Sequence, residues 1–460
     1  MSSAEIISET VTEHLDTSAL PSLYRDRSFW GMTVTQFFGA FNDNLFKQLI
    51  LLLSITAVAA VDAESEDLQG RATLIFSLPF LITTGFAGYL SDRFGKRGII
   101  VLCKVAEIVV MALGGLAFAV YSQSASLTLL YVVLFLMGAQ SGFFGPAKYG
   151  ILPEMLRPAD LPRANGFILM TTFVAIITGT VVAGLLLDNY SDKPWVGSVA
   201  CVGIAIVGTV SSLLVRKVPP ANPLLKLRAS SFTVPPEMLR MLRQDTPLLA
   251  ALWVSSIFWL LAGMVPLAIN SLGKLDLAVG DKLTSYLNGV VSIGIAIGCV
   301  IGGLVSKGKV DFRLLRLGAI GMMVSMAVLA IPASGDVDLL KNAQGELLRT
   351  PGIGESTQWL GYGGTLLMLI VLGAFTGMFA VPLQVFMQSR PPDDKKGRMI
   401  AVMNQANWVG IAISGVLYEL FTRLIAWQAW PRSIMFLFIA ALMLPIALFY
   451  HPRNEALSTN

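Results

Sequence analysis

The chain is 460 residues long, 55% apolar and only 13% charged, with a mean hydropathy of +0.69. That balance leaves too little polar surface to cover a soluble globule, so lipid is the expected solvent and no sizeable water-soluble domain fits. The net charge of +4 is small and its cations are scattered among apolar runs, which argues against a nucleic-acid partner.

Residues 1–28 are polar and mildly acidic and lack the apolar core of a signal peptide, so the first apolar run is expected to stay as an uncleaved start-transfer segment. Apolar runs then fall at 29–61, 72–91, 98–121, 127–146, 164–187 and 195–215, and again at 248–270, 284–306, 312–331, 361–388, 399–424 and 431–450. Each can supply the about 20 residues with which a helix crosses a bilayer core. The expected fold is an all-α membrane protein of twelve helices, with an N-terminal six-helix bundle over 29–215, a C-terminal one over 248–450 and a cytoplasmic tail at 451–460. Cys103, Cys201 and Cys299 each lie inside an apolar run without metal-ligand spacing, so they read as small buried hydrophobes and no metal is expected.

Between the halves, 216–247 is polar, contains prolines and carries Arg216, Lys217, Lys226, Arg228, Arg240 and Arg243, which marks a cytoplasmic linker. The even-numbered connectors are the basic ones. Arg93, Lys96 and Arg97 follow the second helix, Lys307, Lys309, Arg313 and Arg316 the eighth, and Lys395, Lys396 and Arg398 the tenth. The first connector is acidic instead, with Asp62, Glu64, Glu66 and Asp67. Because cytoplasmic connectors retain Lys and Arg, both termini are expected in the cytoplasm. The stretch from Gly145-Pro146 through Asn165 has a counterpart from Val381-Pro382 through Arg398, a weak repeat in keeping with six plus six.

Asp43 is the costliest residue to bury, because it lies mid-helix in Phe41-Asn42-Asp43-Asn44-Leu45-Phe46-Lys47. A central Asp costs about 2.5–3.5 kcal/mol on insertion scales, so it should face a cavity or a partner. Lys47 follows one turn later on the same face and could neutralise it as a local ion pair. The other reading makes Asp43, with Asn42 and Asn44, a site for a cation or an amine headgroup, with Na⁺ and H⁺ as the candidate coupling ions.

The connector after the second helix reads Gly88-Tyr89-Leu90-Ser91-Asp92-Arg93-Phe94-Gly95-Lys96-Arg97. A carboxylate and several cations on a tight turn can pair with a neighbouring helix end, and such pairs separate when two halves rock. The segment resembles the signature of the major facilitator superfamily. That resemblance implies two six-helix bundles around a central cavity, with Gly88, Asp92, Arg93, Gly95, Lys96 and Arg97 as a conformational latch. An ordinary positive-inside loop is the plainer alternative.

In the fourth helix, Phe143-Phe144-Gly145-Pro146-Ala147-Lys148-Tyr149-Gly150 loosens a helix end beside a cation. Lys148 suits a phosphate as a compact point charge, or else it snorkels to the interface. Lys47, Glu154, and Asn165 at the start of the fifth helix, join it as candidate binding residues. Lys104 and Glu107, three apart in the third helix, are expected to pair, with a gating role as the alternative. Glu419 and Arg423 read as another local pair, and Gln384, Gln388, Asn404, Gln405 and Asn407 as amides that line a cavity or join helices. Gly294, Gly298, Gly302 and Gly303 in the eighth helix predict close helix packing.

The first-helix run Phe41 to Lys47, together with Pro146-Ala147-Lys148-Tyr149-Gly150-Ile151-Leu152-Pro153-Glu154 and Ala164-Asn165-Gly166, resembles the lysophospholipid transporter family, a branch of the major facilitators. The likeness runs over nearly the whole chain, with its distinctive motifs in the first half. Members flip lysophospholipids, chiefly lysophosphatidylethanolamine, from the outer to the cytoplasmic leaflet of the bacterial inner membrane, where an acyltransferase restores the missing chain. The resemblance implies such a transporter, without a cofactor, with Asp43 and Lys148 on the substrate path. Phe258-Trp259 in the seventh helix matches the family, but Met264-Val265-Pro266 follows where an arginine can stand. The fourth helix also lacks the arginine of many proton-coupled facilitators. Some relatives are fused to the acyltransferase, whose chemistry needs a His and an Asp separated by four residues. His14 and His451 have no such Asp, so a non-enzyme is expected, with any acyltransferase a separate partner. Efflux of amphipathic drugs or metabolites, and a non-transporting membrane scaffold for an acyltransferase, are the rival readings.

Overall fold

The computed structural model describes residues 19–56, 67–157, 160–227, 236–306, 309–342, 347–391, 396–450 and 455–456. Asp62, Glu64, Glu66, Arg228, Lys307, Lys395, His14 and His451 lie outside the described residues. The described residues include twelve long helices: α1 Arg27–Thr56, α2 Gln69–Arg93, α3 Lys96–Ser124, α4 Thr128–Met155, α5 Leu161–Asn189, α6 Trp195–Ser212, α7 Thr246–Ser271, α8 Asp281–Ser306, α9 Phe312–Leu329, α10 Gly361–Ser389, α11 Lys396–Trp427 and α12 Met435–Phe449.

Ten of these are long and apolar enough to cross a membrane, and α2 makes an eleventh if its two segments count as one span bent by 47°. The bend has a local cause. Pro79 removes a backbone donor inside α2, and the Thr83 hydroxyl bonds back to the Pro79 carbonyl at 2.8 Å just before Gly85. Helix α1 has the length, 30 residues, but falls short in mean hydropathy. Its polar residues from Gln36 to Gln48 account for that, and they are where the candidate site lies. Elsewhere the outward faces are apolar: Leu102, Leu116, Leu367 and Val210 are 60% to 69% exposed, as side chains solvated by lipid should be.

The packing repeats with the halves. In the first half α1 packs on α5 and α6, α2 on α4, and α3 on α4 and α6; in the second α7 packs on α11 and α12, α8 on α10, and α9 on α10 and α12. Adding six to every helix number in the first set gives the second. The halves meet along α2–α11 and α5–α8, two seams that the same shift exchanges. This is the geometry of an internal repeat related by a pseudo-twofold axis. Glycines set the closest approaches. A Cβ on Gly70 would lie 2.5 Å from the Gly415 carbonyl on the α2–α11 seam, and in the α8–α10 pair a Cβ on Gly294 would lie 2.9 Å from Gly373 Cα.

The linker is less irregular than its composition predicts. Pro236–Gln244 is a short helix that buries Met238 and Leu242 and turns Arg240 outward. Asp245 then caps α7, accepting from the Leu248 amide at 3.1 Å. At its start the linker is tied to the end of α2, where the Asn222 amide donates to the Asp92 carbonyl at 2.8 Å. A two-residue ladder, β1 Lys309–Val310 with β2 Glu455–Ala456, is the one strand pair among the described elements. The end of the molecule carrying the linker is called the linker end below, and the opposite one the far end.

Candidate functional site

The polar residues of α1 divide between two neighbours. Asn42 is fully buried and donates from Nδ2 to Glu107 Oε1 on α3 at 2.8 Å and to the Cys201 carbonyl on α6 at 3.2 Å. Lys104 Nζ lies 2.5 Å from Glu107 Oε2, and both side chains are 1% exposed. Spacing of three residues puts the pair on one face of α3. Gly39 on α1 gives the ammonium room, since a Cβ there would lie 2.5 Å from Lys104 Nζ. So deep a charge pair persists because its members bond each other and Glu107 also accepts from Asn42.

Asp43, about 100° further round α1, faces α4 instead. Ser141 Oγ is 2.6 Å from Asp43 Oδ2 and 3.0 Å from Gln140 Oε1, so two acceptors compete for its single proton. Asp43 Oδ1 is buried without a hydrogen-bond partner. Lys47 does not close that valence. No nitrogen–oxygen contact within 4.0 Å joins the two side chains, and Lys47 Nζ stands 5.4 Å from the Phe76 ring centroid on α2. Lys148 lies on α4 two turns nearer the linker end than Ser141, roughly 10 Å along the axis and on the same face. Its ammonium is 4.5 Å from the Tyr149 ring centroid and 6.0 Å from that of Phe144. Asn44 and Asn165 bond carbonyls of their own helices, Ala40 at 2.8 Å and Leu161 at 3.0 Å.

At the linker end the turn between α2 and α3 engages other helices of the first half. Lys96, 3% exposed, lies 2.5 Å from Glu154 Oε1 on α4, in space that a Cβ on Gly150 would enter. Glu154 thus belongs with this turn and not with Asp43. Arg97 donates to the Leu213 carbonyl beyond α6 at 2.9 Å. Arg93 bonds the Tyr89 hydroxyl and stands 5.6 Å from the Phe94 ring centroid, while Asp92 is exposed and makes no ion pair among the described residues.

Sequence reasoning missed a third cluster, at the far end, where side-chain bonds between the halves gather. Asp67, 3% exposed just before α2, accepts from the Gln69 amide at 3.1 Å, from Tyr418 on α11 at 2.6 Å and from Ser271 on α7. Beside it Gln48 Nε2 donates to Asn270 Oδ1 at 2.9 Å, and Asn270 Nδ2 to Gln69 Oε1 at 2.8 Å. Glu419 does pair with Arg423 at 2.9 Å, but it equally takes Arg71 from α2 at 2.9 Å, so the expected local pair also bridges the two halves. Asn407, one of the amides of α11, accepts from Ser255 on α7 at 2.9 Å and joins two helices of the second half.

A family model described as Major Facilitator Superfamily matches residues 29–415. The chain belongs to the major facilitator superfamily. This facilitator is 26% identical over 417 residues to the lysophospholipid transporter LplT of Yersinia pestis (strain Pestoides F), across 86% of its own length and 87% of the relative's. The same figures hold for LplT of Yersinia pseudotuberculosis serotype O:3 (strain YPIII). Among solved structures its fold is similar to that of the POT family transporter PepTSo, with a TM-score of 0.66 and 14% identity over 94% of this chain and 97% of that one. It is also similar to the nucleoside transporter NupG, with a TM-score of 0.65 and 9% identity over 91% and 98%. Family, fold and apolar helices together make the chain a multi-pass membrane transporter.

Proposed function

We propose that this facilitator flips lysophospholipids, lysophosphatidylethanolamine among them, into the cytoplasmic leaflet of a bacterial inner membrane, where a separate acyltransferase restores the lost chain. The observation that carries this reading is a buried carboxylate oxygen, Asp43 Oδ1, left without a partner on the α4 face that also bears Lys148, in a chain similar to LplT along most of its length. A zwitterionic headgroup offers an ammonium to the first and a phosphate to the second. The free oxygen is equally open to a coupling H⁺ or Na⁺.

The direction rests on the linker end being cytoplasmic, which its basic connectors favour. In the conformation described, the far end is the one tied shut, as an alternating-access carrier requires while it releases substrate toward the linker end. The test is a leaflet-flip assay with labelled lysophosphatidylethanolamine in proteoliposomes, run with and without Na⁺ and pH gradients to identify the coupling ion. Asp43→Asn should abolish flipping while insertion and the size-exclusion profile stay normal; a variant that still flips at the wild-type rate contradicts the role. Wild-type protein that extrudes amphipathic cations but flips no lysophospholipid would favour drug efflux instead.

A further inference from the structure

Three other lysines in or beside the helices have carboxylate partners. Lys96 has Glu154, Lys104 has Glu107, and Lys274, just beyond α7, has Asp281 at 2.6 Å. Lys47 and Lys148 do not. Among the described residues neither ammonium makes an ion pair within 4.0 Å; each stands against aromatic rings, with Asp43 the charged neighbour of Lys47, and the two lie on opposite sides of Asp43. Helix α1 runs from the linker end to the far end and α4 runs back, so Lys47 lies about one turn, roughly 6 Å, toward the far end from Asp43. Lys148 lies about two turns toward the linker end.

The ring that holds Lys47 is not an isolated one. Phe76 meets Phe80 edge-on at 5.4 Å and Trp408 of α11 at 6.3 Å, and Phe80 stacks on Trp408 at 3.6 Å with their planes 8° apart. Lys47 therefore stands against the aromatic joint at which α2 meets the second half. A π face holds an ammonium loosely and takes up none of its N–H donors in directed bonds, so Lys47, near Asp43 but not bonded to it, keeps those donors for an arriving anion.

We infer that Lys47 is a second phosphate-binding group on the substrate path, holding the headgroup phosphate on the far side of Asp43 before it passes to Lys148. The row of cation, carboxylate and cation lets the headgroup ammonium stay near Asp43 while the phosphate changes partner. Neither charge of the zwitterion then crosses the membrane interior unpaired. The inference rests on the function proposed above and adds a substrate requirement: a phosphate is needed, whereas the amine is matched by a single group.

The test uses the full-length protein in proteoliposomes. Lys47→Gln should raise the half-saturating concentration of labelled lysophosphatidylethanolamine about tenfold, the loss expected of one charge-assisted bond, with little change in maximal rate. Lys47→Arg, which keeps the charge, should stay within about threefold of wild type. Inorganic phosphate is the competitor. Inhibition of wild type that Lys47→Gln removes assigns the group to any phosphate; no inhibition, with the raised half-saturation still present, assigns it to the lipid headgroup alone, and both results support the inference. An unchanged half-saturating concentration in Lys47→Gln overturns it, as does equal damage by Gln and Arg, which would mark a packing role. Wild-type protein that flips no lysophospholipid at all defeats the function above and this inference with it.

Discussion

Lys104 and Glu107 show what a single buried charge demands. Each is 1% exposed, so removing one partner leaves the other unpaired in apolar surroundings. Glu107→Gln should lower stability by about 3–5 kcal/mol, read as an earlier thermal transition in detergent, whereas a joint Lys104→Met, Glu107→Leu change should recover most of the loss. Equal damage in the double variant would show that the pair does more than neutralise itself. At this scale the sequence was legible where partners are near in the chain: spacing of three residues announced the Lys104–Glu107 pair, and Asp43 stood out by its cost. It was illegible where they are distant. Ser141, the hydroxyl that holds Asp43, is 98 residues away and is one serine among many. Asn42 and Asp43 are adjacent in sequence yet serve different neighbours, a division made by the 100° step of the helix and by which helices pack around α1.

Among the elements, the connector between α9 and α10 carries a bidentate ion pair at the far end. Arg349 grips Glu355 with both terminal nitrogens, at 2.6 and 2.7 Å, and the Gly352 amide adds a third bond at 2.7 Å. The hydrogen bond from Arg349, then that amide, hold the Glu355 carboxyl down at about 2, below its ordinary 4.5. A carboxyl whose folded value is depressed stabilises above its unfolded value and loses that contribution as pH falls through the folded one. Protection of the Gly352 and Gly354 amides from hydrogen exchange, corrected for intrinsic rates, should thus be flat from about pH 8 to 5 and decline only between 4.5 and 2. A decline already at pH 6 would mean that another group governs the connector. Helix existence was easy to read because each apolar run is local. The helix inside the linker was not, since Pro236–Gln244 shows only a short apolar pattern, Met238 and Leu242, within a charged stretch.

For the whole molecule, the consequential feature is that side-chain bonds between the halves gather at one end. Tyr418→Phe removes a hydroxyl that lies 2.6 Å from the Asp67 carboxylate, and a hydrogen bond to a charged group contributes about 1.5–3 kcal/mol. The variant should open the far end about tenfold more often, measured as faster thiol labelling of Ser54→Cys in a background lacking the native cysteines. Labelling no faster than in the parent would show that the glycine contacts of the seams suffice for closure.

From its sequence alone this protein was committed to lipid, to a six-plus-six series of helices and to a costly polar cluster in the first of them, because apolar length and charge burial are local properties of a chain. The family likeness was legible for the same reason, in short unbroken motifs. Only the tertiary structure decided which oxygens of that cluster stay open, which lysines lack a direct ion pair and at which end the halves are tied. Those depend on contacts such as Asp67 with Ser271 and Tyr418, 204 and 351 residues apart, and no periodicity along the chain encodes a meeting at that distance.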